Sequence, residues 1–345
     1  MRAGGLDFER PTLLQATDTP EDRGLTRDGV RLMVSDGTRH SHHIFRDLPD
    51  LLRPGDLLVV NESATLPASL RARSTPGEFL LNLSTQYADR VWLAEPRWSA
   101  SSPGPVPIAA GDLVEAAGVT LRRIAAYPGI DRLSFFRASG DLGAAMRREG
   151  SPIRYGYLGR PHPLSDYQTI FARVPGSSEM PSAARPFTQR TLDDLGSRGI
   201  GIARIWLHTG VSSLEQEPNG SETPPVYPEP FEVPESTARA VTATRCRGGR
   251  VIAVGTTVLR ALETVAASGP MRPLRGFTRC VLGPDRSIRS VDALLTGLHD
   301  PRTSHLSLLF GFAGEATVRA AYAEAASIGY LWHEFGDSHL VWRND

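Results

Sequence analysis

Four polar clusters contain most of the side chains that could do chemistry, and each lies beside a turn or a predicted strand end. They are YQTIFARVPGSSEMPSAARPFT (167–188), LHTGVSSLE (207–215), AVGTTVLRALE (253–263) and VDALLTGLHDP (291–301). A neutral imidazole or a carboxylate in such a place can move a proton near neutral pH. Hydroxyl and amide groups beside Pro and Gly turns can fix a polar ligand. The clusters therefore favour acid–base chemistry on a bound small molecule.

The first cluster is denser in Tyr, Gln, Thr, Arg, Pro and Gly than a simple connection requires. Polar residues beside turn-forming ones are typical of a pocket that binds its ligand through backbone and side-chain hydrogen bonds. The candidate substrate-binding residues in this cluster are Tyr167, Gln168, Thr169, Arg173, Arg185 and Phe187. The alternative is a long surface loop.

The second cluster places His208 at the C-terminal end of the predicted strand IGIARIWLH. Open sheets usually bind their ligands at the carboxyl ends of strands, and a neutral imidazole there can accept a proton near pH 7. His208 is therefore an acid–base candidate. The alternative is a structural, hydrogen-bonded histidine.

The third cluster reads as a strand, Arg250 to Val254, followed by a glycine turn and a helix. Gly255 lets the chain turn, and Thr256 or Thr257 is predicted to cap the helix. The free N–H groups of a first helical turn bind anions, which makes Gly255, Thr256 and Thr257 candidates for an anionic end of the substrate. Arg260 is the candidate charge partner. The alternative is an ordinary helix cap with a surface ion pair.

The fourth cluster contains Asp292, Thr296 and His299 before a proline break. Asp292 and Thr296 are four residues apart, so they would share one face of a helix. Asp292 and His299 are acid–base candidates, and Thr296 is a binding candidate. The alternative is a capped helix that packs in the core.

Composition excludes several other classes of protein. The chain has 345 residues and 40% hydrophobic residues, as expected for a packed globular protein of one large domain or two. Its two cysteines lie far apart, and neither HExxH nor a phosphate-binding glycine loop is present. We therefore expect no metal and no standard dinucleotide cofactor. The first residues do not read as a signal peptide and no apolar run would span a membrane, so a cytoplasmic location is expected.

Charge adds two constraints. The formal net charge is zero, which gives no overall argument for a nucleic-acid partner. The chain contains no lysine, so no Schiff base can form on it. The segment from Arg239 to Arg302 contains eleven arginines and only four acidic residues. This segment is either a basic surface for phosphate or an ordinary solvated one.

The pattern of elements that must position these clusters predicts a mixed α/β or α+β main domain with a small β-barrel inserted. Leu57 to Val60 reads as a buried strand, and the short strands between 69 and 139 are typical of a barrel. A helix is predicted after Thr188, another carries the apolar stripe Val318, Ala321, Tyr322 and Ala325, and Glu215 to Pro230 reads as a loop. The predicted domains are residues 1–66 with 150–345, and 67–149.

Eight blocks together resemble one known family. They are RPGDLLVVNES, DYQTIFARVPGS, PSAARPFT, LHTGVSSLE, EVPESTA, GGRVIAVGTTVLRALE, VDALLTGLHDP and GFAG, with EFGDSHLV near the end. In this order the blocks resemble the S-adenosylmethionine:tRNA ribosyltransferase-isomerase family of queuosine biosynthesis, from about Leu6 to Val341. The similarity is weak only through the predicted barrel.

The resemblance implies the two-domain fold and S-adenosylmethionine as a consumed substrate. In that family the ribosyl part moves onto the aminomethyl group of 7-aminomethyl-7-deazaguanine in tRNA and rearranges to an epoxycyclopentane, while adenine and methionine leave. The sulfonium acidifies the neighbouring 5′ carbon, so a positioned base can remove a proton there. The chemistry then depends more on orientation than on a metal.

Several departures from the family pattern fall in blocks expected to line the pocket. Arg185-Pro186 stands where the family has a Leu-His pair in AGLHFT, and NES replaces NDT. The glycine-rich pattern after His208 is changed at Ser212, Ser213 and Glu215, and a His-x-Glu element is represented only by Tyr227 and Glu229. A paralogous branch is therefore conceivable. Its acceptor could be a small molecule, or the chain could be a non-catalytic nucleoside-binding protein. The sequence leaves the oligomeric state open.

Overall fold

A nine-stranded sheet forms the centre of the main domain in the computed structural model, which describes residues 14–211, 227–283, 288–301 and 303–344. In spatial order the strands are β15 (Leu274–Thr278), β13 (Glu229–Val233), β12 (Gly201–Leu207), β3 (Leu57–Asn61), β14 (Val251–Val254), β16 (Ala293–Gly297), β17 (Ser338–Trp342), β1 (Arg31–Asp36) and β2 (Arg39–Ile44). The central strands β3 and β14 are buried along their whole length. Near-continuous apolar runs such as LLVV and VIAV form strands of this kind, because helices or other elements cover both faces of the sheet.

Four neighbouring strands, β12, β3, β14 and β16, run parallel. Their carboxyl ends therefore meet at one edge of the sheet. Strand β17 pairs antiparallel with β16, with Ser338 opposite Gly297, so β17 begins at this same edge. We call it the C-edge, and the opposite edge of these strands the N-edge.

Seven helices occur in the described part of the chain: α1 (Leu48–Leu51), α2 (Leu142–Glu149), α3 (Gln189–Ser197), α4 (Glu235–Cys246), α5 (Thr256–Ala266), α6 (Ser304–Ala313) and α7 (Glu315–Ser327). The apolar stripe predicted for α7 is buried in the core, as its helical spacing requires. Thr188 caps α3 as predicted, because its side chain accepts a hydrogen bond from Thr191 N at 3.2 Å.

The inserted unit is a closed six-stranded barrel. Its strands are β5 (Ser69–Ser74), β6 (Gly77–Ala88), β7 (Val91–Arg97), β8 (Leu113–Ala116), β9 (Val119–Tyr127) and β10 (Ile130–Ala138). Closure removes exposed strand edges and gives this unit a core of its own, against which α2 packs. The predicted fold class is confirmed. The exact domain boundaries at 66/67 and 149/150 stay a prediction.

One short parallel pair connects the barrel region with the C-edge. Strand β4 (Ser63–Thr65) follows β3 directly and pairs with β11 (Val174–Ser177). The pairing brings the first polar cluster back to the end of β3. No helix among the described residues is long and apolar enough to cross a membrane.

Three local predictions are wrong. Gly255, with φ +96°, is the N-cap of α5, and neither threonine side chain caps it. Residues 293–297 form strand β16 and not a helix, because a fully buried apolar run of this length fits a central strand as well as a helix. The predicted loop from Glu215 reaches residues outside the described part of the chain, but its last two residues, Glu229 and Pro230, belong to β13.

The barrel core provides a test of the fold. Phe136 on β10 is fully buried in the barrel core, and replacing it with alanine is expected to lower the free energy of unfolding by about 3–5 kcal/mol. The control Leu113→Ala on β8 removes a side chain that is 50% exposed and should change stability by less than about 0.5 kcal/mol. Urea denaturation followed by circular dichroism measures both. Equal losses would contradict the assignment of the core.

Candidate active site at the C-edge

Asn61 joins three elements at the C-edge. It is fully buried at the end of β3. Its amide nitrogen donates to the Leu207 carbonyl at 2.9 Å and to the Thr257 hydroxyl at 3.2 Å. Its carbonyl accepts from the backbone N–H groups of Leu207 and Ser63. One amide therefore fixes the ends of β3 and β12 against the first turn of α5.

A hydroxyl network orients His208 next to this amide. The Ser63 hydroxyl lies 2.7 Å from His208 Nδ1 and 2.7 Å from the Ser177 hydroxyl, which accepts from Thr209 N at 3.0 Å. One face of the imidazole stacks on Trp206 with ring centroids 4.5 Å apart. The ring also lies directly on Gly176, where any Cβ would come within 2.5 Å of three ring atoms. Glycine at this position is what allows the ring to sit so close.

The environment of His208 keeps the imidazole neutral. Burial lowers the pKa of His208 to about 4, and the Arg275 guanidinium acts in the same direction. At pH 7 this side chain is therefore uncharged and only weakly basic. It can exchange hydrogen bonds with a polar ligand, with its Nδ1 engaged by Ser63.

A second group of side chains surrounds Glu334, in the loop before β17. The Tyr157 hydroxyl donates to Glu334 Oε1 at 2.8 Å. Burial raises the pKa of Glu334 to about 7, while the Tyr157 hydrogen bond and the Arg185 charge act against this rise and the Glu179 charge adds to it. The neighbouring Tyr167 hydroxyl is buried without a hydrogen-bond partner among the described residues. A buried unpaired hydroxyl is costly, so it marks a place where a ligand can supply the missing bond.

Arg185 is buried beside these groups and held in place from three sides. Its Nε donates to the Asp166 carbonyl at 2.9 Å, and both terminal nitrogens reach Glu21 Oε2 at 3.1 Å. Its guanidinium lies over the Phe335 ring, 4.8 Å from the centroid. The side chain is only 2% exposed, and burial lowers its pKa, yet arginine stays charged at neutral pH. It is therefore a fixed positive charge in the wall of the cleft.

One narrow cleft has Glu334 and Arg185 in its wall. It is lined by Pro20, Arg27, Val30, Ser182, Ala183, Arg185, Pro186, Gly297 and the residues from His333 to Ser338. A Cβ on Gly255 would meet Ala183 at 3.4 Å, so the start of α5 adjoins the cleft wall. Ser178, which donates through its N–H to the Thr209 carbonyl, and Glu179, bonded to Tyr155, lie between His208 and this cleft.

The structure brings several predicted residues to this edge. They are Tyr167, Arg185, His208, Gly255, Thr256, Thr257, Thr296 and His299. Thr296 is buried, and its hydroxyl lies 2.8 Å from His299 Nε2. Burial holds the pKa of His299 well below its usual range, and the imidazole stacks on His305 at 4.8 Å. His299 therefore orients Thr296 as a neutral side chain.

Asp292 lies at the opposite end of β16, at the N-edge. Its carboxylate accepts from Val251 N at 2.8 Å, and its own N–H donates to the Val251 carbonyl. The prediction that it joins the other acid–base candidates fails, because a strand and not a helix separates it from Thr296. At about 3.3 Å of rise per residue, four residues of strand reach from one edge of the sheet toward the other.

Other predicted binding residues serve the fold. Gln168 pairs its amide with both backbone groups of Thr65, and Thr169 accepts from Phe171 N. Phe187 packs in the core against two phenylalanine rings, and Arg173 is exposed on the outside. The polar or aromatic character of these residues did not show whether they contact a ligand or attach a connecting segment to the sheet.

Arg260 stabilises the loop after His208 through its contact with Glu229. Its Nη1 lies 2.5 Å from Glu229 Oε2, and the other carboxylate oxygen of Glu229 accepts from Gly210 N at 3.1 Å. The Tyr227 hydroxyl donates to the Val211 carbonyl at 2.5 Å. Tyr227 and Glu229 thus hold the loop after His208. The altered positions Ser212, Ser213 and Glu215 lie outside the described residues.

The Arg239–Arg302 segment is not one continuous surface among the described residues. It runs through α4, β14, α5, β15 and β16. Arg250 is bound to Asp56 with Nε contacts at 3.1 and 3.2 Å, and Arg260 to Glu229. Part of the arginine excess therefore stabilises the fold and is not available for phosphate.

One acidic cluster lies outside the cleft. Asp18, Asp22 and His162 hold their ligand-type atoms within 4.8 Å of one another. Arg160 contacts both carboxylates, at 3.6 Å for Asp18. An arginine that already balances two carboxylates explains this cluster as an ion-pair group. The expected absence of a metal stays a prediction.

The most informative residues that the sequence analysis missed are Glu334, Tyr157, Ser63, Ser177 and Asn61. In the sequence, the segments NES and EFGDSHLV indicated only the family resemblance and no role for individual residues. A glutamate in an apolar setting just before a Gly-Asp turn was the available signal for Glu334. The contact between Ser63 and Ser177 had no signal, because 114 residues separate them in sequence.

The C-edge carries a neutral imidazole and a cleft that contains a carboxyl group of raised pKa and a buried guanidinium. Such groups are typical of an enzyme active site. A family model described as "Queuosine biosynthesis protein" matches residues 4–341. The chain therefore belongs to the queuosine biosynthesis protein family, as the motifs indicated.

Individual relatives agree with this assignment. The S-adenosylmethionine:tRNA ribosyltransferase-isomerase of Anaeromyxobacter dehalogenans is 35% identical over 360 residues, covering 99% of this chain and 100% of the relative. The protein of the same name from Thermus thermophilus is 34% identical and covers 91% of this chain and 93% of its own. The crystal structure of S-adenosylmethionine tRNA ribosyltransferase from Thermotoga maritima matches with a TM-score of 0.56 at 27% identity, over 98% of this chain and 99% of that one.

Gly176 tests the packing of His208. In Gly176→Ala the new methyl group must displace the imidazole toward water, because no Cβ fits 2.5 Å from the ring. The pKa of His208, about 4 through burial, is then expected to rise toward its ordinary value near 6.5. Proton NMR titration measures it.

The matched control is Gly196→Ala on α3, where a Cβ meets no atom within 4 Å. It should leave the His208 titration unchanged. An unchanged His208 pKa in Gly176→Ala would contradict the proposed burial of the ring.

Proposed function

We propose that this chain is an S-adenosylmethionine-consuming ribosyltransferase-isomerase of queuosine biosynthesis. It moves the ribosyl part of S-adenosylmethionine onto 7-aminomethyl-7-deazaguanine in tRNA, and adenine and methionine are released. The observation that carries the proposal is full-length similarity to relatives of this name, at 35% identity over 99% of the chain, together with a polar cleft at the C-edge.

The cleft and its surroundings contain two kinds of group that attract a sulfonium cation. Tyr157 and Phe335 present aromatic rings, and Glu334 presents a carboxyl group beside them. Aromatic faces and carboxylates both attract a cation, whereas the Arg185 guanidinium over the Phe335 ring acts in the opposite direction. The unpaired Tyr167 hydroxyl can bind a polar atom of the sugar. We place the sulfur and the ribose in this part of the cleft.

The methionine end of the substrate fits the start of α5. Gly255 adjoins the cleft wall at Ala183, and the first turn of the helix carries Thr256 and Thr257. The N–H groups of a first turn and the helix dipole favour a carboxylate. Thr257 is itself oriented by Asn61. The methionine carboxylate is therefore placed at residues 255–257.

His208 takes a different part in this scheme from the one its sequence position indicated. With a pKa of about 4 it is a poor proton acceptor at pH 7, but a good neutral hydrogen-bonding group. We place it against a polar atom of the nucleoside, with Ser63 fixing the ring. Thr296, oriented by His299, lines the same edge.

The proposed acceptor, 7-aminomethyl-7-deazaguanine, is part of a tRNA, so tRNA is the proposed macromolecular partner. An enzyme that acts on tRNA works where tRNA is made and used, which agrees with a cytoplasmic location. The substituted pair Arg185-Pro186 changes the wall of the cleft but leaves a charged, ordered side chain there. It therefore does not by itself favour a small-molecule acceptor.

The direct test is incubation of the protein with S-adenosylmethionine and tRNA that carries 7-aminomethyl-7-deazaguanine. We expect one adenine and one methionine to be released for each nucleoside modified, because both leave the same ribosyl group. Chromatography measures adenine, and mass spectrometry of the digested tRNA measures the nucleoside. The matched control is the same tRNA with guanine at that position, which should yield neither.

Other outcomes select the rival functions. Adenine release that needs a small molecule and no tRNA would replace the tRNA acceptor. Binding of S-adenosylmethionine by calorimetry without any adenine release would indicate a nucleoside-binding protein. Either result would contradict the proposal.

A further inference from the structure

The altered block in the first cluster leaves the cleft without a histidine at residue 186. The family pattern places a histidine where this chain has Pro186, and proline has no titratable group. Arg185 beside it cannot serve as a base near neutral pH. Any proton transfer in this cleft must therefore use another side chain.

We propose that Glu334 is the catalytic base of this enzyme and removes the proton from the 5′ carbon of S-adenosylmethionine. Glu334 lines the same cleft as Arg185 and Pro186, so the loop before β17 supplies a carboxylate to the cleft in which residue 186 is substituted. The inference rests on the proposed function, since it assigns the proton acceptor of that reaction.

The position of Glu334 is fixed by the residues around it. Tyr157 donates to Oε1 at 2.8 Å, and the Tyr157 ring is held in turn by stacking on His333, with centroids 4.0 Å apart. A carboxylate has a second oxygen that can accept a proton while the first keeps this bond. The hydrogen bond therefore orients the base without consuming it.

The charged groups that face Glu334 tune it for this role. Burial and the neighbouring Glu179 raise its pKa, whereas Tyr157 and Arg185 limit the rise, and the pKa is about 7. A base whose pKa lies near the working pH is partly ionised and still strong enough to accept a proton. The pKa of Tyr167 is raised by burial and by the Glu334 charge, so its hydroxyl stays protonated.

Other titratable groups of the described site fit the role less well. Asp337 lines the same cleft, but both of its carboxylate oxygens already accept hydrogen bonds, from Arg31 N and Leu331 N at 2.8 Å. His208 has a pKa of about 4, and His299 is a neutral side chain whose Nε2 already contacts Thr296. Glu179 is bonded to Tyr155. Asp292 lies at the N-edge, across the sheet.

The proposed step is a single proton transfer. The C5′–H bond breaks, the proton moves to a carboxylate oxygen of Glu334, and the electron pair stays on C5′ beside the positively charged sulfur. No oxidant or reductant is needed. The protonated Glu334 can then return its proton to a leaving group or to water, which restores the carboxylate.

The test compares wild type with Glu334→Gln, which keeps the shape and a hydrogen-bond acceptor for Tyr157 but cannot accept a proton. Exchange of the 5′ hydrogens of S-adenosylmethionine in D₂O, followed by NMR, reports the step without any acceptor tRNA. We expect a loss of at least about 100-fold in both 5′ exchange and tRNA-dependent adenine release, because general bases contribute factors of this size. Binding of S-adenosylmethionine by calorimetry should be largely retained.

The control is Glu315→Gln on α7, an exposed glutamate that pairs with Arg319. It should leave 5′ exchange unchanged. A structural role of Glu334 would not predict a selective loss of exchange with binding retained.

The pH profile gives an independent readout. Because the base must be ionised, wild-type 5′ exchange should rise with pH through about 7. Tyr157→Phe removes a hydrogen bond that lowers the Glu334 pKa, so the rising limb should move to higher pH. In Glu334→Gln this limb should disappear from any residual rate.

The results separate the two proposals. Full 5′ exchange in Glu334→Gln, with an unchanged pH profile, would overturn the role of Glu334 while tRNA-dependent adenine release in wild type upheld the function. Exchange in wild type that is lost in Glu334→Gln, without any tRNA-dependent adenine release, would uphold the base and overturn the acceptor. Absence of both exchange and adenine release in wild type would overturn both.

Discussion

The parallel register of β12, β3, β14 and β16 is the constraint on which the site depends. It brings four strand ends to one edge, where each following residue leaves the sheet into a loop or helix. Asn61 makes this edge rigid, because its buried amide is bonded to β12, to α5 and to the start of β4. A buried amide with every group satisfied tolerates little movement, so the groups around it keep fixed relative positions. The same register carries Asp292 away to the N-edge.

Burial determines the electrostatics of the cleft. His208 and His299 are held neutral, and Glu334 titrates near neutral pH, because each has lost much of its contact with water. Arg185 keeps its charge because the Glu21 carboxylate and the Asp166 carbonyl replace water around it. A cleft of this kind offers one adjustable proton acceptor beside fixed hydrogen-bonding groups. This is what a reaction that begins with removal of a weakly acidic C–H proton requires.

Particular residues show how far the sequence could be interpreted. His208 after β12 and Gly255 before α5 were placed correctly, because strand ends and helix starts follow from local patterns of apolar residues and turns. For Phe187 and Gln168 the structure shows contacts with the protein itself, and their role in ligand binding stays a prediction, because a residue type does not say whether its partner is a ligand or the protein. Phe187 packs in the core, and Gln168 binds the backbone of Thr65. Glu334 was overlooked, because its distinguishing property is a raised pKa, which depends on neighbours that are far away in the chain, such as Tyr157, Glu179 and Arg185.

The sequence by itself determined the family and the class of fold. Those properties depend on hydrophobic periodicity, turn residues and motif order, all of which are local. Only the tertiary structure decided that residues 293–297 form a strand, that Ser63 and Ser177 hold His208, and that Glu334 and Pro186 line the same cleft. These properties depend on contacts between distant segments and on the exclusion of water, which no short stretch of residues specifies.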